Sequence, residues 1–351
     1  MAYTNIDDPS AHFQTATYTG NGSTQSITND GNSDMQPDWV WIKSRSDASW
    51  HSLQDSSRGA TKTLFSNATD AEVTYTDAQT SFDSDGFSLG ADASGGSVNV
   101  SSRTYAAWQW KANGGTTSTN NDGDVTSTVQ VNQDAGFSIV TWTVGLGAGN
   151  HSVGHGLGVK PAMFITKSRG NASFWTLWHQ GMAGDTSYIR LDATTAELTY
   201  SDIWGDGITS SVFGYNYPAT VYVQPYVAYC FAEKQGFSKF GSYVGNGSNS
   251  GPFIYTGFRP AFVMIKRTDS TGGWTIYDNK RGYNGNNYEL FPHSSEAEYT
   301  GTSFFEADIL SNGFKLRLTD GQINASGGSY IYMAFAENPF VTSTGIPTTA
   351  R

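Results

Sequence analysis

One pattern occurs three times in this chain and limits what it can fold into. The runs Pro37–Arg45, Pro161–Arg169 and Pro260–Arg267 are short and apolar, rich in β-branched and aromatic residues, and in each a lysine follows the proline by six positions. Runs of that length between polar segments form strands rather than helices. Repetition at a spacing of about 100 residues makes each run a landmark of one recurring unit.

Other landmarks keep the same order around them. A glycine pair comes before each proline, Gly20 and Gly22, Gly145 and Gly147, Gly245 and Gly247, after extended Thr- and Tyr-rich sequence. An aromatic follows each run, Trp50, Trp175 and Trp274, then Asp55 to Gly59 in the first copy and Asp278 to Gly282 in the third. The second copy has His179-Gln180-Gly181 instead. Turns at Asp83–Phe87, Trp204–Ile208 and Ser311–Phe314 come next, and each copy closes on an aromatic run at Tyr105, Tyr226 or Tyr330. Strand, turn and strand in this order read as hairpins.

The expected architecture is therefore all-β, with three tandem antiparallel β-sandwich modules of jelly-roll or lectin-like type. They are expected at residues 11–113, 136–235 and 236–340. A polar linker is expected at 114–135, with the glycine-rich stretch 112–124 as the hinge, and 1–10 and 341–351 read as arms that order on a neighbouring subunit. The step from Glu233 to Gly236 leaves almost no linker, so the second and third modules should touch.

Composition excludes several partners. The formal net charge of −11 opposes a phosphate backbone or an anionic membrane surface, so neither nucleic acid nor membrane is an expected partner. Cys230 is the single cysteine and sits in an apolar run, the setting of an inert buried thiol. The first ten residues lack a basic start and an apolar core, which predicts no cleaved export signal.

The chain offers little chemistry in one place. His151 and His155 are separated by glycine-broken sequence unsuited to a metal-binding helix, and the acidic turns at Asp83 and Asp122 lack the ligand spacing of a calcium loop. Glu233 and Glu337 occupy matching ends of two copies, where the first copy has Lys111, a structural pattern rather than a catalytic pair. No metal, cofactor or catalytic residue is expected.

Two sets of residues suit binding instead. Trp50, Trp175, Trp178 and Trp274 could stack on sugar rings, the alternative being that they fill sandwich cores. Lys43, Arg45, Lys167, Arg169, Lys266 and Arg267 could grip an acidic neighbouring subunit, or only blunt an exposed sheet edge.

The opening at Ala2–Ser10, the stretch Asp30–Lys43, the phrase Gly154–Gly158 and the ending at Ala336–Phe340 and Gly345–Arg351 resemble structural proteins of marine tailed bacteriophages, including cyanophages. The resemblance runs over nearly the whole chain. It implies a non-enzymatic virion protein with lectin-like modules on the particle exterior, a capsid decoration or tail-associated knob assembled in the host cytoplasm. Its expected partners are other virion proteins and further copies of itself. A tail adhesin that binds host surface polysaccharide is the alternative, and a glycan-degrading enzyme the third reading.

Overall fold

The proline-led runs become the middle strands of three large antiparallel sheets. The computed structural model describes residues 2–145, 147–217, 223–282, 284, 288–300 and 307–348. Among them the only helical turn is a 3-10 turn at Pro9–Ala11, so the chain is all-β, with several antiparallel sheets, as the sequence predicts.

The large sheets share a strand order. The first reads Phe13–Thr19, Thr104–Trp110, Trp39–Ser44, Ser52–Asp55. The second contains Phe137–Val144, Gln224–Phe231, Met163–Ser168, Thr176–His179, and the third Ser238–Val244, Ser329–Pro339, Phe258–Arg267, Trp274–Asp278. Register matches as well. Trp39 pairs with Trp110 and Asp55, Met163 with Phe231 and His179, and Phe262 with Phe335 and Asp278.

Side chains alternate across a strand, and both faces of these sheets are buried. The outer faces pack against smaller sheets. Val40, Ile42 and Ala107 meet Phe87 and Leu89, while Val140, Phe164 and Cys230 meet Val153 and Phe213.

The inner faces meet one another in a single continuous core. Trp39 stacks on Tyr229 at 4.2 Å between ring centroids, Phe13 on Phe335 at 5.1 Å, and Phe231 lies 5.8 Å from Phe240. Each such pair adds roughly 0.5–1.5 kcal/mol beyond the burial of apolar area. Aromatic residues of all three copies therefore hold the sheets together at the centre.

Two expectations about the connections are corrected. Residues 114–135 are neither a loose linker nor a hinge: Ser118–Asn120 and Ser127–Asn132 extend the second sheet. The glycine-rich entry to this segment is clamped, because the buried Asp38 carboxylate accepts hydrogen bonds from the backbone N–H groups of Ala112 (2.8 Å), Gly114 (2.9 Å) and Gly115 (2.9 Å). The arms dock on their own chain rather than awaiting a neighbour. Tyr3 donates to the Gly257 carbonyl at 2.6 Å, Ile6 is buried, and Asp7 accepts from the Ser343 amide at 2.6 Å. Met1 and residues 349–351 of the expected arms lie outside the described residues.

Candidate binding site at Trp50 and the three buried junctions

The turn after each aromatic strand reaches into the next copy. In the first copy Asp55 and Arg58, both fully buried, form an ion pair at 2.5 Å. Across the junction Tyr229 donates to Asp55 at 2.7 Å, and Arg58 donates to the Tyr229 hydroxyl at 3.1 Å. Glu72 completes the set, accepting from Arg58 at 3.0 Å and from Arg169 at 2.8 Å. Burial alone would lower the Arg58 pKa, but the carboxylates of Asp55 and Glu72 outweigh it and hold the guanidinium firmly protonated.

The third copy treats the first in the same way. Asp278 pairs with Arg281 at 2.6 Å and accepts from the Trp108 indole at 2.8 Å, while Glu298 bridges Arg281 and Arg45, each at 2.9 Å. The second copy meets the third through His179, whose Nε2 lies 3.0 Å from the Tyr332 carbonyl oxygen. Backbone bonds repeat too: Glu72 to Arg169, Glu197 to Thr268 and Glu298 to Arg45 are amide-to-carbonyl contacts of 2.8–2.9 Å. First to second, second to third and third to first, the junctions close a ring within one chain.

The second copy's departure from the Asp-to-Arg turn has a physical reason. Tyr229 and Trp108 occupy matching register positions and donate to the buried aspartates, whereas the third copy has Met333 there. A buried carboxylate facing a thioether would lack that donor. A neutral histidine bonding a backbone carbonyl meets the requirement.

The expected role of the basic residues in gripping a neighbour is corrected. Lys43, Lys167 and Lys266 are buried, and their ammonium groups cap backbone carbonyls, those of a neighbouring copy for Lys167 and Lys266 and of its own copy for Lys43. Lys167 donates to Thr69 and Ser173 at 2.9 Å, Lys266 to Thr195 at 2.9 Å and Gly272 at 2.8 Å, and Lys43 to Ser44 at 2.7 Å. Burial lowers each pKa to about 8. Arg45 and Arg169 pair within the chain as described, and Arg267 pairs with Asp269 at 2.9 Å.

Three of the four tryptophans are likewise unavailable for stacking on a ligand. Trp175, Trp178 and Trp274 are buried, and the indole N–H groups of Trp175 and Trp274 donate across junctions to Phe65 (2.7 Å) and Arg190 (2.8 Å). The position matching them in the first copy is the buried His51, which accepts from Trp41 at 2.9 Å, and not Trp50. The signal was present in the sequence: Trp175 and Trp274 follow the conserved-spacing lysine by eight positions, as His51 does, whereas Trp50 follows it by seven.

Trp50 stands one residue out, 45% exposed, at the mouth of a cavity of about 230 Å³. Its ring packs edge-to-face with Phe65 at 4.7 Å, and Phe65 meets Tyr75 at 6.3 Å. Ala48, Ser49, Gly95, Gly96, Ser97 and Arg103 complete the lining. Arg103 is held by Asp47 at 3.2 Å. Of these residues the sequence pointed only to Trp50, since small and polar residues from three separate loops carry no periodic signal.

The remaining sequence candidates have local partners. Glu233 pairs with Lys239 at 2.6 Å and Glu337 with Arg259 at 2.7 Å, and His151 lies 2.6 Å from Asp124. Cys230 is fully buried, which pushes its thiol pKa up. Among the described residues no cluster of three or more His, Cys, Asp or Glu is arranged to hold a metal ion, and no helix is long and apolar enough to cross a membrane.

A family model described as a domain of unknown function, DUF7483, matches residues 8–339, so the chain belongs to that family. No curated protein and no solved structure matched the chain.

Proposed function

We propose that the chain is a non-enzymatic structural component on the exterior of a tailed-phage particle, decorating the capsid or forming a knob on the tail. It assembles in the host cytoplasm with other particle proteins and with further copies of itself. The observation that supports this reading is where the buried charge goes. Asp55, Arg58, Asp278, Arg281, Lys167 and Lys266 all serve junctions between sheets, which makes one stiff block from a repeated unit. Stiffness and surface are what a particle component supplies, and the resemblance of the chain ends to phage structural proteins gives the setting.

Antibody labelling and mass spectrometry of purified particles test it. The chain should be present in stoichiometric amounts and label the outside. Its absence from particles sinks the proposal.

A second reading, binding of host surface polysaccharide, draws support from the exposed indole and adjoining cavity at Trp50.

A further inference from the structure

At one surface position the three copies diverge. Five residues before Asp55, His179 and Asp278 lie Trp50, Phe174 and Gly273. The Arg190 guanidinium sits 3.4 Å from the centroid of the Phe174 ring and covers it. Gly273 presents no ring at all, and a Cβ there would come within 2.5 Å of the His293 ring. Trp50 alone of the three offers an aromatic surface beside a cavity; its ring partner among the described residues is Phe65, at 4.7 Å and 67° between ring planes.

We propose that this cavity is a carbohydrate subsite that takes one neutral pyranose ring of a surface polysaccharide, with the sugar C–H face against Trp50. The assignment rests on the polysaccharide reading above and specifies its site and ligand class. Size supports it: about 230 Å³ is smaller than the roughly 300–1,000 Å³ of pockets for drug-sized ligands and suits a single ring. Chemistry supports it as well. Ser49 lines the cavity, and its Oγ, closed off from solvent, has no hydrogen-bond partner among the described residues, so rotation of the hydroxymethyl group toward the cavity would give a sugar hydroxyl a partner. Ser97 and Arg103 add polar groups at the rim.

Charge decides for a neutral sugar over an acidic one. Arg103, the cation in the lining, is already paired with Asp47. The chain as a whole carries −11 and repels uronates and sulfates. The wall is also pre-formed. Asp77 accepts from the Ala93 amide at 2.8 Å, and Asp92 accepts from the Val98 and Asn99 amides at 2.7 and 2.8 Å. Asp92, Ser97 and Ser102 hold positive φ of 55°, 58° and 68°. At Gly96 a Cβ would fall 2.5 Å from that of Ala78, so this wall needs glycine. A loop fixed in advance loses little entropy on binding.

The full chain is tested on an array of neutral and anionic polysaccharides, and by saturation-transfer NMR with methyl glucoside, galactoside and mannoside. The expected result is binding to neutral glycans and transfer to the ring protons of at least one glycoside. Trp50→Ala should weaken binding at least tenfold in a chain that still unfolds cooperatively, the lost Phe65 contact lowering the thermal midpoint only slightly, and Phe174→Ala should leave binding intact. Neutral-glycan binding that survives Trp50→Ala overturns this site but not the polysaccharide reading. Binding confined to anionic glycans overturns the ligand class. No binding by the wild-type chain overturns both the site and the polysaccharide reading, and leaves the particle location standing.

Discussion

Tyr229 of the second copy donates its phenolic proton to Asp55 of the first at 2.7 Å, inside a core where neither group meets water. A buried carboxylate that loses a donor keeps its desolvation cost, so Tyr229→Phe should destabilise the fold by about 1–3 kcal/mol in urea unfolding. In an Asp55→Asn background the same change should cost less, because the acceptor it served has lost its charge. Equal costs in both backgrounds would show that the two residues are not coupled.

Arg281 provides a sharper contrast with a surface arginine of the same copy. Arg281 is fully buried between Asp278 and Glu298, whereas Arg267 pairs with Asp269 at the surface. Arg281→Met leaves the buried Asp278 carboxylate without its cation and Glu298 with Arg45 alone, and should cost roughly 3–5 kcal/mol. Arg267→Met should cost no more than about 1 kcal/mol. Similar midpoints for the two variants in chemical denaturation would contradict the role given to the buried pair.

The strand pattern was readable because a strand's apolar run is local, and Pro37, Pro161 and Pro260 mark it directly. What the sequence could not convey was which way each face pointed. In a chain whose sheets are buried on both sides, Trp39 and Val40 are equally apolar, yet one enters the central core and the other meets the outer sheet. The lysines misled for a related reason. Lysine at a strand end normally signals solvent, and only the approach of Thr69, Thr195 and their neighbours from another copy turns Lys167 and Lys266 into buried caps. At Trp50 a one-residue slip in register separates an exposed ring from the buried position held by His51, and aromatic identity outweighed spacing in the alignment of copies.

Asp38 should control the joint between the first and second sheets. Its carboxylate accepts three backbone N–H groups from Ala112–Gly115 and the Ser56 hydroxyl at 2.6 Å. Asp38→Ala removes the clamp while the central aromatic core remains. Limited proteolysis of the native protein should then cut within residues 113–124 much faster than in the wild type, with fragments identified by mass. Unchanged cleavage there would mean that the strands Ser118–Asn120 and Ser127–Asn132 hold the segment without help.

His179 makes the second junction sensitive to acid. Burial lowers its pKa from 6.5 to about 4, with the Tyr332 carbonyl opposing the shift only in part. Between those values the unfolded chain binds a proton that the folded one refuses, so stability falls as pH drops from about 6.5 towards 4. The full effect of this one ring is roughly 3 kcal/mol, complete near pH 4. His293, also lowered to about 4 by burial, adds a slope of the same sign, so the informative quantity is a difference. His179→Gln retains a donor for the carbonyl but does not titrate. Urea unfolding at pH 7, 5.5 and 4.5 should show the wild type losing more stability on acidification than the variant. Parallel losses would remove His179 as the acid-sensitive group at this junction.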